Sequence, residues 1–215
     1  MRVFLAEDQF LLRQGLENLL RSNGVEIVGS RPDGDGLPDL LASSGADLAL
    51  LDIRMPPTNT DEGIRAALEL RRRRPGFPVV LLSQYVEHLY LDELLGDGGG
   101  AVGYLLKDRV FDDVSFVASL RTVAAGGTVV DPEVITSLMQ RQVLTSRLSA
   151  LTARETEVLA RMAEGEANAS IALRLVVTEK AVQKHINAIF TKLDLSEEPN
   201  SARRVLAVLA FLRGR

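Results

Sequence analysis

The 215-residue chain is 46% hydrophobic, long and apolar enough for two packed domains, and its net charge of -4 is unevenly divided: residues 1–140 carry 13 basic against 21 acidic side chains, residues 141–215 carry 12 against 8. Cysteine is absent, which removes disulfides, thiolate nucleophiles and cysteine-based zinc sites and leaves His88 and His185 as the only imidazoles. No apolar run reaches the roughly eighteen residues needed to span a bilayer and the chain opens directly into a strand-like run, so the expectation is a soluble cytoplasmic protein with no membrane partner.

Strand-like runs fall at 3–6, 25–28, 48–51, 79–82 and 102–106, alternating with helix-like segments at 11–22, 37–43, 61–73, 87–95 and 113–125. Strands that are apolar on both faces and alternate with helices predict a parallel sheet covered on both sides. Gly24, Gly45, Pro75, Gly76, Pro78 and the cluster Gly98, Gly99, Gly100 fall between the elements. The expectation is a doubly wound α/β domain over residues 1–127. Asp131 and Pro132 pair as a helix cap and first-turn residue, predicting a connecting helix to about Gln142 within a 128–148 linker and a hinge at 141–149. From there the pattern is purely helical. A capping box at Thr152 and Glu155 opens a helix that stops at Gly165, and further helices follow at 168–175, 178–193 and 201–212. Residues 149–215 are therefore expected to form an all-α domain.

In a parallel sheet the residues just past the strand ends lie side by side. Here they are Glu7 and Asp8, Asp52, Ser83, and Lys107. Three carboxylates, a hydroxyl and an ammonium are the inventory for holding Mg²⁺ and a phosphoryl group, since Mg²⁺ takes hard oxygen ligands from carboxylates, water and phosphate. Glu7, Asp8, Asp52 and the backbone carbonyl of Arg54 are the candidate metal ligands. Asp52, central among the acids, is the candidate nucleophile, with Lys107 and Ser83 meeting the phosphoryl oxygens. Any one such residue is equally a solvated loop residue; four matching strand ends are harder to dismiss. A magnesium phosphohydrolase forming an aspartyl-phosphate uses nearly the same pocket. The second aspartate expected two residues after its nucleophile is replaced here by Arg54.

Taken in order, Leu5-Ala6-Glu7-Asp8, Leu51-Asp52-Ile53-Arg54-Met55-Pro56, Ser83 after an apolar strand, and Gly103-Tyr104-Leu105-Leu106-Lys107-Asp108 resemble the receiver domains of two-component response regulators. The resemblance implies a flavodoxin-like five-stranded sheet of order 2-1-3-4-5, with Asp52 accepting phosphate from a sensor histidine kinase. It further implies that Lys107 binds the phosphate and that Ser83 and Tyr104 are coupled switch residues, although an aromatic in a buried strand is also plain core. Glu7 stands where many members have aspartate, and Pro57 with Thr58-Asn59-Thr60 lengthens the loop after Asp52. His88 is expected on a solvated helix surface.

In the basic half, the helix at 178–193 has Val182, Ile186, Ile189 and Leu193 on one stripe and Lys180, Gln183, Lys184, Asn187 and Thr191 on others. A basic, amide-rich face preceded by a short helix and tight turn fits a helix-turn-helix recognition element, a solvated amphipathic helix being the plainer reading. Leu151-Thr152-Ala153-Arg154-Glu155, Gly165, Asn168, Ile171-Ala172, Val177-Thr178, Ala181-Val182, Lys184-His185 and Lys192-Leu193 resemble the LuxR-type DNA-binding domain. The resemblance implies that Gln183, Lys184 and Asn187 meet bases or nearby backbone and that Lys180, His185 and Lys192 meet phosphates, although His185 could equally be packed structurally. The last helix is apolar around much of its circumference, and Val205, Val208, Leu209 and Leu212 are its candidate dimer contacts. Members resemble this in pairing through that helix, with the receiver as a possible second contact, and a two-fold dimer would read an inverted repeat on double-stranded DNA.

Together these features predict a phosphorylation-switched, DNA-binding transcriptional regulator that turns over no external metabolite and catalyses only its own phosphoryl uptake and loss. The alternatives are the phosphohydrolase and a DNA-binding regulator that works without phosphorylation.

Overall fold

The computed structural model describes residues 1–84, 94, 100–196 and 199–213, with backbone alone at 200 and 201. The helix expected over 87–95, with His88, lies apart from Leu94 outside the described residues, as do Gly98 and Gly99. The chain divides into two compact units, Met1–Thr136 and Ser137–Arg215.

The first unit runs β1 (Arg2–Ala6), α1 (Phe10–Ser22), β2 (Glu26–Arg31), α2 (Leu37–Ser43), β3 (Leu48–Asp52), α3 (Glu62–Arg73), β4 (Val79–Ser83), β5 (Val102–Leu106), a 3₁₀ turn (Lys107–Phe111), α4 (Asp113–Ala124) and β6 (Thr128–Val130). The strands form one parallel sheet in the order β2-β1-β3-β4-β5-β6. The expected 2-1-3-4-5 order is present, and a sixth strand extends it. Every residue of β3, β4 and β5 is buried, as central strands with helices on both faces require. Leu16 and Leu20 of α1 and Phe116, Val117 and Leu120 of α4 close over Leu5, Leu50, Leu82 and Leu105.

Two expectations about the linker are corrected. Residues 128–130 belong to the sheet, because Val129 pairs with Gly103 and Val130 with Tyr104, so the first unit continues past 127. The next helix, α5, runs unbroken over Pro132–Ser149 instead of stopping near Gln142 before a hinge. No glycine or proline interrupts residues 133–149, so nothing in that stretch ends it.

The second unit contains the rest of α5, then α6 (Ala153–Ala163), α7 (Asn168–Arg174), α8 (Glu179–Lys192) and α9 (Asn200–Arg213). The capping box forms as expected, with Thr152 accepting from the Glu155 N–H while Glu155 accepts from the Thr152 N–H. Val158, Leu159, Ile171, Val182, Ile186, Ile189, Ala207 and Phe211 build the core. Among the described residues no helix is long and apolar enough to cross a membrane.

Candidate functional site

Strand register gathers the strand-end residues into one pocket. Asp52 is the last residue of β3, paired with Leu82, and Ser83 ends β4, paired with Leu106. Glu7 and Asp8 follow β1, and Lys107 follows β5. The Lys107 Nζ lies 2.9 Å from Glu7 Oε1 and 2.9 Å from Asp52 Oδ2. Glu7, Asp52 and Ser83 are buried, Asp8 half-buried. Asp8, Asp52, Ser83 and Lys107 line a cavity of about 280 Å³ together with Gln9, Ile53, Arg54, Asn59 and Gln84. Glu7 lies behind this lining and meets Lys107, and the cavity adds residues the sequence did not single out, among them Gln84 directly after Ser83 and Asn59 from the lengthened loop.

The charges in this pocket do not balance. Burial, and then the neighbouring Glu7, pushes the Asp52 carboxyl up to about 7 against the opposing hydrogen bond from Lys107. Burial also raises Glu7. Burial works against the charge of Lys107, but its hydrogen bonds to Asp52 and Glu7 prevail and raise its pKa. Glu7 and Asp52 are both raised despite the Lys107 ammonium, so added positive charge would favour their ionised forms. The donor set fits a hard divalent cation: Glu7, Asp8 and Asp52 each place a carboxylate oxygen within 4.8 Å of the others, and the buried Glu7 Oε2 has no hydrogen-bond partner among the described residues.

The loop after Asp52 is pinned by Glu62. Its carboxylate accepts from the Thr58 hydroxyl, from the Thr58 N–H at 3.0 Å and from the Thr60 N–H at 3.0 Å. Asn59, between the two threonines, has φ 56°, a left-handed conformation that asparagine tolerates. Next to Glu62, a Cβ on Gly63 would fall 1.9 Å from the Asp52 carbonyl oxygen, so only glycine fits where α3 begins beneath β3. Tyr104 is fully buried in β5, three residues before Lys107.

In the second unit, Thr178 caps α8 by accepting from the Ala181 N–H. Val182, Ile186, Ile189 and Phe190 are buried, while Lys180, Gln183, Lys184 and Asn187 are exposed on one helix. His185 is half-buried. Lys192 stands apart from the exposed set: its Nζ donates to the Ala150 carbonyl at 3.0 Å and to Glu155 at 2.7 Å. On α9, Ala207 and Phe211 enter the core and leave Val205, Leu209 and Leu212 exposed, with Val208 half-buried.

Residues 3–117 match the response regulator receiver domain family, and residues 149–205 match the luxR family of bacterial regulatory proteins. The oxygen regulatory protein NreC of Staphylococcus carnosus (strain TM300) is 30% identical over 209 residues, 93% of this chain and 94% of that protein. The solved response regulator ChrA of a heme-sensing two-component system is 31% identical with a TM-score of 0.50, covering 97% of this chain and 94% of that one. The two-component response regulator RcsB, solved as a DNA complex, shares the fold at 22% identity, with a TM-score of 0.58 over 100% of this chain and 98% of that one.

An acidic receiver pocket on a parallel sheet, followed by a luxR-type helical unit, defines a two-component response regulator with a DNA-binding output domain. The chain belongs to this family, in its NarL/FixJ branch.

Proposed function

We propose that Asp52 is the phosphoacceptor of this regulator and that phosphorylation of the first unit controls DNA binding by the second. The observation that carries this reading is the buried Asp52 carboxylate, hydrogen-bonded to Lys107 and set beside Glu7 and Asp8. The phosphoryl donor is a sensor histidine kinase. The bond from phosphorus to an Asp52 oxygen forms as the bond to the kinase's histidine nitrogen breaks, and the imidazole keeps that electron pair and takes up a proton. Mg²⁺ held by Glu7, Asp8, Asp52 and the Arg54 carbonyl would add positive charge against the phosphoryl oxygens.

The chain's own residues do the rest. Lys107, already within hydrogen-bond distance of Asp52, pairs with a phosphoryl oxygen. Ser83 donates its hydroxyl to another, and its displacement opens space for the Tyr104 ring, which converts a charge event into a reshaped surface. Asn59 and Gln84 line the cavity and set how readily water reaches the phosphoryl group, hence how long it persists. The protein catalyses its own phosphoryl uptake and loss and no other turnover.

The output is a cytoplasmic homodimer on an inverted repeat. Lys180 and Lys184 meet phosphates, and Gln183 and Asn187 meet base edges in the major groove. Lys192, held by Glu155, and the half-buried His185 contribute position and field more than free donors. Val205, Leu209 and Leu212 recur on one exposed stripe and suit pairing of two α9 helices, with Val208 at its border and the receiver offering a second contact.

Acetyl phosphate labelling of the wild type and of Asp52→Asn tests the acceptor. Loss of label in the variant is expected; equal labelling overturns the assignment. Footprinting on genomic DNA with and without phosphorylation tests the output. Sustained turnover of a generic phosphate ester would favour a phosphohydrolase instead.

A further inference from the structure

A chain of side-chain amides crosses the helix-turn-helix. The Arg204 Nη1 donates to Asn168 Oδ1 at 2.9 Å, Asn168 Nδ2 donates to Gln183 Oε1 at 3.0 Å, and Gln183 Nε2 donates to Asn187 Oδ1 at 3.1 Å. These four residues come from α9, α7 and α8, and the relay ends on the exposed side of α8. Arg204 is itself anchored, because its Nη2 donates to the Glu166 carbonyl at 2.5 Å.

The direction of this relay is not free. A guanidinium has donors only, so the Asn168 carboxamide must turn its oxygen toward Arg204 and its nitrogen toward Gln183. Gln183 must then present its oxygen to Asn168 and its nitrogen to Asn187. Asn187, accepting through Oδ1, is left with its Nδ2 hydrogens outward, and among the described residues no acceptor meets them. A lone asparagine can turn either end to a base; this one is polarised from three residues away.

We propose that Arg204 and Asn168 are positioning residues for base recognition, fixing Gln183 and Asn187 as hydrogen-bond donors in the major groove. The inference rests on the reading of α8 as the DNA-contacting helix and adds its chemical preference. Outward donors suit the acceptors O6 and N7 of guanine or O4 of thymine and reject cytosine, which offers only its N4 amino group; adenine, with an N7 acceptor beside its N6 donor, does not discriminate.

The relay makes an inversion possible. Asn168→Asp has nearly the shape of the native residue but offers two acceptors. Gln183 must then turn its nitrogen to the introduced carboxylate and its oxygen to Asn187, whose nitrogen turns inward and whose oxygen faces out. The same two amides would now seek donors, cytosine N4 or adenine N6. Arg204→Met, by contrast, removes the imposed direction and should relax the preference without reversing it.

The test is selection from a random duplex library with the full-length phosphorylated protein, its Asn168→Asp and Arg204→Met variants, and Ala169→Asp, which adds the same charge at a neighbouring exposed position outside the relay. Wild type and Ala169→Asp are expected to enrich guanine or thymine and to deplete cytosine at the position facing Asn187. Asn168→Asp should shift that position toward cytosine by about tenfold, with binding to random duplex as the measure of intact fold. Selection of the same base by Asn168→Asp and wild type overturns the relay while leaving DNA binding in place. A wild type that retains no duplex overturns both readings.

Discussion

Asp131 accepts both arms of the Arg109 guanidinium, Nε at 2.6 Å and Nη2 at 3.2 Å. The same buried carboxylate accepts from the Glu133 N–H at 3.0 Å and so caps α5. Arg109 lies two residues after Lys107, which links the pocket's lysine segment to the start of the helix that leaves the sheet. Burial alone would raise the Asp131 pKa; Arg109 and the Glu133 N–H overcome it and hold the carboxyl below its usual range. Asp131→Ala is therefore expected to lower stability by about 1 kcal/mol or more through the lost cap. Asp131→Asn keeps a cap acceptor and should lose less, a difference readable in chemical denaturation curves.

Glu62 makes the loop beside Asp52 sensitive to acid. Burial disfavours its charge, but the Thr58 hydroxyl and backbone N–H groups outweigh burial and draw its pKa down to about 2. A carboxylate with an unfolded pKa near 4.3 and a lower folded one stabilises fully above the unfolded value and loses that contribution as pH falls through the folded one. Glu62→Gln should cost about 2 kcal/mol at neutral pH. Its deficit against the wild type should shrink between about pH 4.5 and pH 2, as denaturation midpoints across that range would reveal. Because the carboxylate shapes the loop carrying Asn59, the variant should also change the lifetime of the phosphorylated protein.

Gly63→Ala tests the approach of α3 to the end of β3. The added Cβ would meet the Asp52 backbone at 1.9 Å to oxygen and 2.8 Å to carbon, and neither is a flexible side-chain end. Relief requires shifting the end of β3, so a loss of about 3 kcal/mol and a slower rate of labelling by acetyl phosphate are expected together. Native stability with ordinary labelling would show that α3 can withdraw without moving Asp52.

What the sequence reveals follows from the range of the forces involved. The strand at 102–106 is legible because its residues are apolar on both faces, and the pocket because strand ends in a parallel sheet share one edge. Thr128–Val130 is not, since three residues after two glycines carry too little pattern to separate a short edge strand from a loop. The end of α5 is expected too early because the polar stretch at Arg141 resembles a linker, yet no glycine or proline there interrupts the helix. Asn59 sits on a loop whose course depends on side-chain hydrogen bonds such as Glu62 with Thr58, which apolar periodicity does not show. The Arg109 pairing with Asp131 joins residues 22 positions apart, which periodicity cannot show.

Lys180 and Lys192 look alike in sequence, yet the structure gives them different work. Lys192 donates to Glu155, whose side chain is only 8% exposed, and to Ala150. Burial would raise the Glu155 pKa, and Lys192 with the Thr152 N–H lowers it below the usual value. Lys192→Ala strands that carboxylate, and a loss of about 2 kcal/mol in the stability of the helical unit is expected, discounted for the partial exposure of the lysine. Lys180 is exposed at the start of α8. Lys180→Ala should leave the denaturation midpoint within about 0.5 kcal/mol of wild type while reducing the slope of log affinity against log salt by about 1. Paired denaturation and salt-titrated DNA-binding curves separate the two, and an unchanged slope for Lys180→Ala would remove that lysine from the DNA interface.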